Sequence, residues 1–366
     1  MESLSSTFFY IGTYINPNSP SDPSVFFYEL TPEGDLNLIS SSNAGDSPSY
    51  MTVSEDNEYC YIVNEMENYQ QENSGAVATY KIKKEDGKLI FLNRVSSKGA
   101  APCHISLSGK ENFAMVSNYN AGRLCVFPID PKTRKITDTD VLILQHTGSG
   151  PNKERQESAH AHSCFIDPLN EFAFSVDLGT DSVFVYQTEK GKPTLHSDPV
   201  LIYKEIPGSG PRHLVFNKAG DVIYVVSELD NTVSVLVFDR GNKVIKRIQK
   251  ISTLPSDFKG ISGCAAIRIS SDGKFVYVSN RGHDSIAVFG VKEDHQLSLV
   301  GIFETKGKHP RDFNFDLTER FLVVACRDDN VVNIFRRNKV NGTLEFTGKS
   351  VRVEKPVNVC MLNRGN

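Results

Sequence analysis

The sequence predicts an all-β fold: a seven-bladed β-propeller with four-stranded blades, its last blade closed by both termini. Three observations predict it. A strand–turn–strand pattern recurs seven times along the chain. Turn formers such as Ser271-Asp272-Gly273, Lys218-Ala219-Gly220 and Asp167-Pro168 separate the apolar runs. Almost no segment carries helical periodicity. Short strands repeated at a fixed spacing are the mark of propeller blades.

The first strand of each repeat begins near Ser49, Cys103, Ser163, His213, Ala265, Asp312 and Val357, at intervals of 45 to 60 residues. Second strands follow as CYIVN, AMVSN, AFSVD, IYVVSE, VYVSN and LVVAC, with FFYIGT at the N-terminal end. Third strands read AVATYKI, RLCVFPI, SVFVYQT, TVSVLVF, SIAVFGV, VVNIFRR and VFFYEL. Fourth strands such as LIFLNRV, HQLSLVGIF and GTLEFTGKS complete most copies. The last copy has only its first strand, while the chain begins with a second strand. One blade is therefore built from both ends. An open sandwich array would instead leave exposed strand edges. The polar stretches 64–75 and 145–160 lengthen two loops without acting as linkers, so residues 1–366 read as one domain.

Composition agrees. The chain is 39% apolar, with 22 Phe, 13 Tyr and no Trp, which suits a large strand-rich core. A net charge of −4 without a basic block argues against nucleic-acid or membrane-surface binding. No window is apolar enough for a membrane span, and MESLSSTFFYIGTY lacks a basic leader region. Seven scattered cysteines without framework spacing read as free thiols in a reducing, cytoplasmic setting.

In such a blade, the loop before the first strand and the loop between the second and third lie on one face. On that face fall six of the nine histidines (His104, His160, His162, His213, His283, His309), together with Arg212, Arg281, Arg311 and Arg327. The opposite face carries ordinary turn residues. One face is thus a concave site rich in His and Arg. Convergent guanidinium groups in an acidic chain imply an anionic ligand. Individual arginines have structural alternatives, such as pairing of Arg311 with Asp312 or Arg212 with Glu228. Mouth position makes His104, Asn118, Asp177, His213, Arg281 and Arg311 expected substrate contacts.

The stretch SAHAHSCFIDP places His160 and His162 two residues apart ahead of a strand, where alternation would turn both to one side. Three readings stand open: a metal pair completed by His213, Asp177 or Glu228, acid–base catalysis, or a hydrogen-bonded structural imidazole. The surrounding arginines weigh against a cation. Glu228 and Asp177 are read as ending corresponding strands in neighbouring blades, able to orient a histidine, act as bases or pair with Arg212. Ser158, Ser163, Cys264 and Cys326 lack the setting of an activated nucleophile.

The segments HAHSCFIDPLNEFAFSVDLGTDSVFVY, GSGPRHLVFNKAGDVIYVVSELDNTVSVL, ISSDGKFVYVSNRGHDSIAVF and HPRDFNFDLTERFLVVA resemble the cycloisomerase-2 family. That family of seven-bladed propellers includes bacterial 6-phosphogluconolactonase and a fungal carboxy-muconate lactonising enzyme. The resemblance covers nearly the whole chain. It implies a metal-independent mouth site without a cofactor, with its motifs on His160, His162, Arg212, His213, Glu228, Arg281 and His309 to Asp312. The expected catalytic set is His160, His162, Arg212 and Glu228. The expected substrate is a small anionic sugar lactone, which water opens while a base takes the proton and an arginine holds the oxyanion. A muconate-type cycloisomerase, or a non-catalytic scaffold, are the alternatives. The polar loop 64–75 and the insertion Lys153-Glu154-Arg155 are expected to reshape the rim.

Overall fold

The computed structural model describes residues 5–363, which form 28 strands and no helix. These strands make seven antiparallel four-stranded sheets. The first strands of the blades are Pro48–Val53, Pro102–Leu107, Ala161–Ile166, Pro211–Phe216, Gly263–Ile269, Pro310–Phe315 and Pro356–Met361. Each touches the next around a closed ring, so they line the axis. The last of them pairs with Thr7–Thr13, and that sheet continues through Val25–Leu30 and Leu36–Ser42. The two ends of the chain share one blade, as the repeat predicts.

Burial explains the strand chemistry. Middle strands such as Phe113–Asn118 and Val222–Ser227 are buried along their whole length and read as continuous apolar runs. Outer strands such as Leu89–Ser96 are half exposed, leaving Ile90 and Phe91 on the surface. The core is not one body. Seven apolar clusters each lie between two neighbouring blades, for example Val226 and Val233 against Cys264 and Val278. The next interface sets Tyr277 and Val288 against Phe313 and Val324.

A feature the period does not reveal recurs in all seven blades. The inner strand carries a β-bulge where it pairs with the second strand, just after its start. The skipped residues are Ser49, Cys103, His162, Arg212, Arg311 and Val357, with the Ala265-Ala266 pair in the fifth blade. A bulge locally suspends strand alternation and re-aims side chains. In five blades a left-handed residue (Ser47, Ala101, Gly210, His309 or Lys355, φ 43° to 62°) precedes the opening proline of that strand. Left-handed backbone at non-glycine residues is strained, and here it gathers around the axis on one face.

Candidate active site

Two positions per blade build the mouth. One is the bulged residue of the inner strand. The other is the residue just beyond the end of the second strand: Tyr14, Glu65, Tyr119, Glu228, or in the fifth blade Arg281, which still belongs to its strand.

Glu228 is the hub. Its Oε2 accepts from Arg212 Nε at 3.1 Å and Arg281 Nη2 at 2.8 Å, while Oε1 accepts from Arg155 Nη2 at 2.6 Å. Arg212 also donates to the carbonyl of Ala265 at 2.7 Å, and Arg281 to that of Cys264 at 2.8 Å. Burial alone would raise the Glu228 carboxyl, but Arg281, Arg212 and Arg155 hold it well below the usual carboxylate range. Arg212 is 2% exposed; burial, then Arg281 and Arg311, push it down to about 10, so it stays charged at neutral pH. Across the mouth, Arg311 lies over the Tyr14 ring at 5.0 Å and 3.6 Å from Glu65. The Tyr14 hydroxyl donates to Glu65 at 2.9 Å. Four guanidinium groups thus face two carboxylates, leaving positive charge in excess.

The two histidines of the HxH motif take different places, because His162 is the bulged residue and alternation fails there. His160 lies flat on the Tyr119 ring at 4.4 Å. Its Nδ1 meets the Tyr119 carbonyl at 3.1 Å and its Nε2 meets Glu157 at 3.0 Å. His162 meets the same tyrosine edge-on at 5.5 Å, with Nδ1 3.8 Å from Cys103 Sγ. Burial, then Arg212, keep the His162 imidazole well below its ordinary value, hence neutral. His309 stands on the rim beside Arg327 and Asp328, and burial with Arg281 lowers it to about 3. His283 is turned to Ser285 and Phe258.

Two expected substrate contacts are corrected. Asn118 and Asp177 end their strands one position short of the mouth, and their side chains latch neighbouring blades. Asn118 Nδ2 donates to the Ser97 carbonyl at 3.1 Å. Asn64 and Asn280 make equivalent bonds to Ala44 and Thr253. Asp177 binds buried His146 at 2.8 Å and accepts from the His160 and Thr180 amides. Register shows why Asp177 and Glu228 are not equivalent: Asp177 opposes Ala161 and Ser227 opposes Pro211, so Glu228 matches Leu178. His104 and His213 lie deeper, 1% and 3% exposed in the channel. Asp312 pairs with Arg268 at 2.8 Å, not with Arg311. Cys264 and Cys326 are buried thiols pushed up to about 12 by burial.

Sequence reasoning placed Arg155 only in a rim insertion, not in the site, and missed Arg268. Arg155 comes from the 145–160 insertion and reaches both Glu228 and the Tyr119 hydroxyl, the latter at 3.2 Å. Its signal was its place in an insertion next to the HxH motif. Arg268 sits mid-strand, where only its inward position marks it.

Fold and mouth together define a closed seven-bladed propeller with a cationic axial site. The chain belongs to the family described as Lactonase, 7-bladed beta-propeller, which matches residues 8–361. It is 34% identical over 357 residues to the 6-phosphogluconolactonase of Bacillus subtilis, covering 97% of this chain and 98% of the relative. It is 33% identical over 341 residues to the 6-phosphogluconolactonase of Formosa agariphila, covering 92% and 94%. Among solved structures, the periplasmic gluconolactonase of Pseudomonas aeruginosa superposes with a TM-score of 0.87 at 27% identity, covering 98% and 99%. Among the described residues, no helix is long and apolar enough to cross a membrane.

Proposed function

We propose that the protein is a metal-independent lactone hydrolase whose substrate is 6-phosphogluconolactone, opened to 6-phosphogluconate as a step of the pentose phosphate route. The observation that carries this reading is the excess of buried guanidinium charge at the mouth, which suits a substrate bearing a phosphate dianion. The names of the Bacillus and Formosa relatives support the same substrate.

Arg155 and Arg311 hold the phosphate from opposite sides of the mouth. Water attacks the ring carbonyl carbon, and its proton passes to the neutral His162. Arg212 and Arg281 stabilise the oxyanion. The ring C–O bond then breaks, and the departing alkoxide oxygen takes the proton back from His162. An imidazole with a depressed pKa is fully unprotonated at neutral pH and returns a proton readily. Glu228, loaded by three arginines, positions them in place of acting as base. His160 acts through Tyr119 as a positioning residue.

Charge supports metal independence, since a cation at His162 would sit beside Arg212. Seven free, buried cysteines support a cytoplasmic location. The test is hydrolysis of 6-phosphogluconolactone against its spontaneous background, with and without chelator. Acceleration insensitive to chelator is expected. Background rates from folded protein would overturn the lactonase reading, and loss with chelator would overturn metal independence.

A further inference from the structure

Below the mouth, the channel contains two buried imidazoles with unmet hydrogen-bonding capacity. The Cys164 amide donates to His104 Nδ1 at 3.4 Å. A backbone N–H can only donate, so that nitrogen is the acceptor and the His104 proton sits on Nε2. His104 Nε2 is buried with no partner among the described residues. By the same logic, Arg212 Nη1 donates to His213 Nε2 at 3.4 Å, which places the His213 proton on Nδ1. His213 Nδ1 is also buried with no partner among the described residues. Both orphans are therefore N–H donors. The two rings lie 5.4 Å apart and meet edge to face.

Their surroundings add donors and positive charge. Tyr50 packs on His104 at 4.5 Å and against His213 at 6.1 Å. Arg268 lies close enough to lower the Tyr50 hydroxyl against the effect of burial, and a guanidinium can only donate. Asp312 is the carboxylate at this level. It is consumed by Arg268, by Asn358 Nδ2 at 2.8 Å and by the Val359 amide at 3.0 Å. Burial, then Arg268 and Arg212, lower His104 to about 3, so the ring is neutral, and the two guanidinium charges are the part of its surroundings that favours an anion. A cavity of about 550 Å³ runs from Tyr50, His104 and Arg268 toward the other face of the ring, where Glu55, Glu111 and Asp167 also line it, the last two paired with Arg134 and Arg240. Because His104 Nδ1 faces the Cys164 backbone, Nε2 lies on the other side of its ring.

We propose that the channel holds a second site, separate from the mouth, in which His104, His213, Tyr50 and Arg268 bind one small inorganic anion entering from the opposite face. Buried donors left without an acceptor destabilise a fold. An anion supplies acceptors to several at once. The site does not rest on the lactonase reading.

The full-length protein, exchanged into a buffer whose only anion is bulky and organic, is titrated with sodium chloride and, separately, sodium bromide at constant ionic strength, phosphate being left out because the mouth would bind it. The wild-type Tm should rise saturably by about 3 °C with at least one of them. His104→Phe should abolish the response. Arg281→Ala, which alters the mouth, should keep it. A bromide soak of crystals read by anomalous scattering removes dependence on any variant, and density should lie within hydrogen-bond distance of His104 Nε2. A flat titration, a response that survives His104→Phe, or a channel filled by water alone would overturn the proposal.

Discussion

At the scale of single residues, position rather than type decides what each charged group does. Arg212 and Arg337 are both nearly fully buried arginines, 2% and 4% exposed. Arg212 shares Glu228 in the mouth, whereas Arg337 pairs with Glu319 at 3.1 Å and donates to the Tyr277 hydroxyl. Arg337, on a third strand away from the mouth, also lies over Phe275, Tyr277 and Phe315, so removing it damages packing. The proper contrast is exposed Arg336. Arg212→Ala should lower kcat/KM by about 10²- to 10³-fold, the usual cost of an oxyanion donor, while Arg336→Ala should leave it within a factor of two or so. Comparable losses would remove Arg212 from the chemistry.

The buried histidines carry a second prediction at this scale. His104 and His309 are lowered to about 3, and His162 and His213 lie well below their ordinary value, burial being the first cause in each. Unfolded, each titrates near its usual value of about 6.5. Between the two values the unfolded chain binds more protons, so stability falls as pH drops below about 6.5. Each such histidine contributes up to about 1.4 kcal/mol per pH unit. Glu228 has the same sign in a lower window: its folded value is depressed, so its contribution is complete above the usual carboxylate value of about 4.3 and is lost only as pH falls below that. Urea midpoints should therefore be clearly lower at pH 5.5 than at pH 7.5. Equal midpoints would mean that these imidazoles are solvated.

At the scale of elements, the loop 145–160 and the bulges divide the work of building the mouth. The loop is held by Gln156, whose Nε2 donates to the Leu178 carbonyl at 2.9 Å, and it delivers Arg155 to Glu228. The Arg155 side chain is 43% exposed, so a surface-like ion pair of modest value fixes it. Arg155→Ala should therefore barely move Tm but raise KM several-fold with kcat little changed, measured by steady-state kinetics. A fall in kcat with KM unchanged would place Arg155 on the reacting carbonyl instead of the phosphate.

Elements also mark where the sequence stops being legible. The strands were readable because β-branched and aromatic runs recur between turn residues. The closing blade was readable because a first strand is missing at one end and present at the other. The mouth face followed from topology, and with it Arg212, Glu228, Arg281 and Arg311. The bulges were not readable, since a skipped residue leaves the apolar pattern unchanged. That is why His160 and His162 were expected to share a side. Asp177 was misplaced because a one-residue offset at a strand end turns a side chain from the mouth to the neighbouring blade. Arg155 was legible as part of a rim insertion, but its bond to Glu228 was not, because an insertion has no counterpart in the other blades to align with.

At the scale of the whole molecule, stability is a ring property. With seven cores lying between blades, no blade buries its own apolar faces. The strand Pro356–Met361 serves two of these interfaces at once: Val359 packs against Phe321 and Val323, and Cys360 packs with Met51 and Ile62. Asn358 ties the same strand to Asp312 on one side and to the Met51 amide on the other. Its loss would bare the edge of Thr7–Thr13 and open two apolar seams together. A chain ending at Glu354 should therefore lose cooperative thermal unfolding and self-associate on gel filtration. The missing piece is one short strand held by backbone pairing and side-chain pockets, the conditions for strand addition in trans. A synthetic peptide of residues 355–363 should restore a single unfolding transition, and with it the mouth geometry, since Lys355 lies on the same face as Tyr14 and accepts its amide at 3.1 Å. A truncated chain that melts within a few degrees of the full-length protein would show that the ring does not depend on its closing strand.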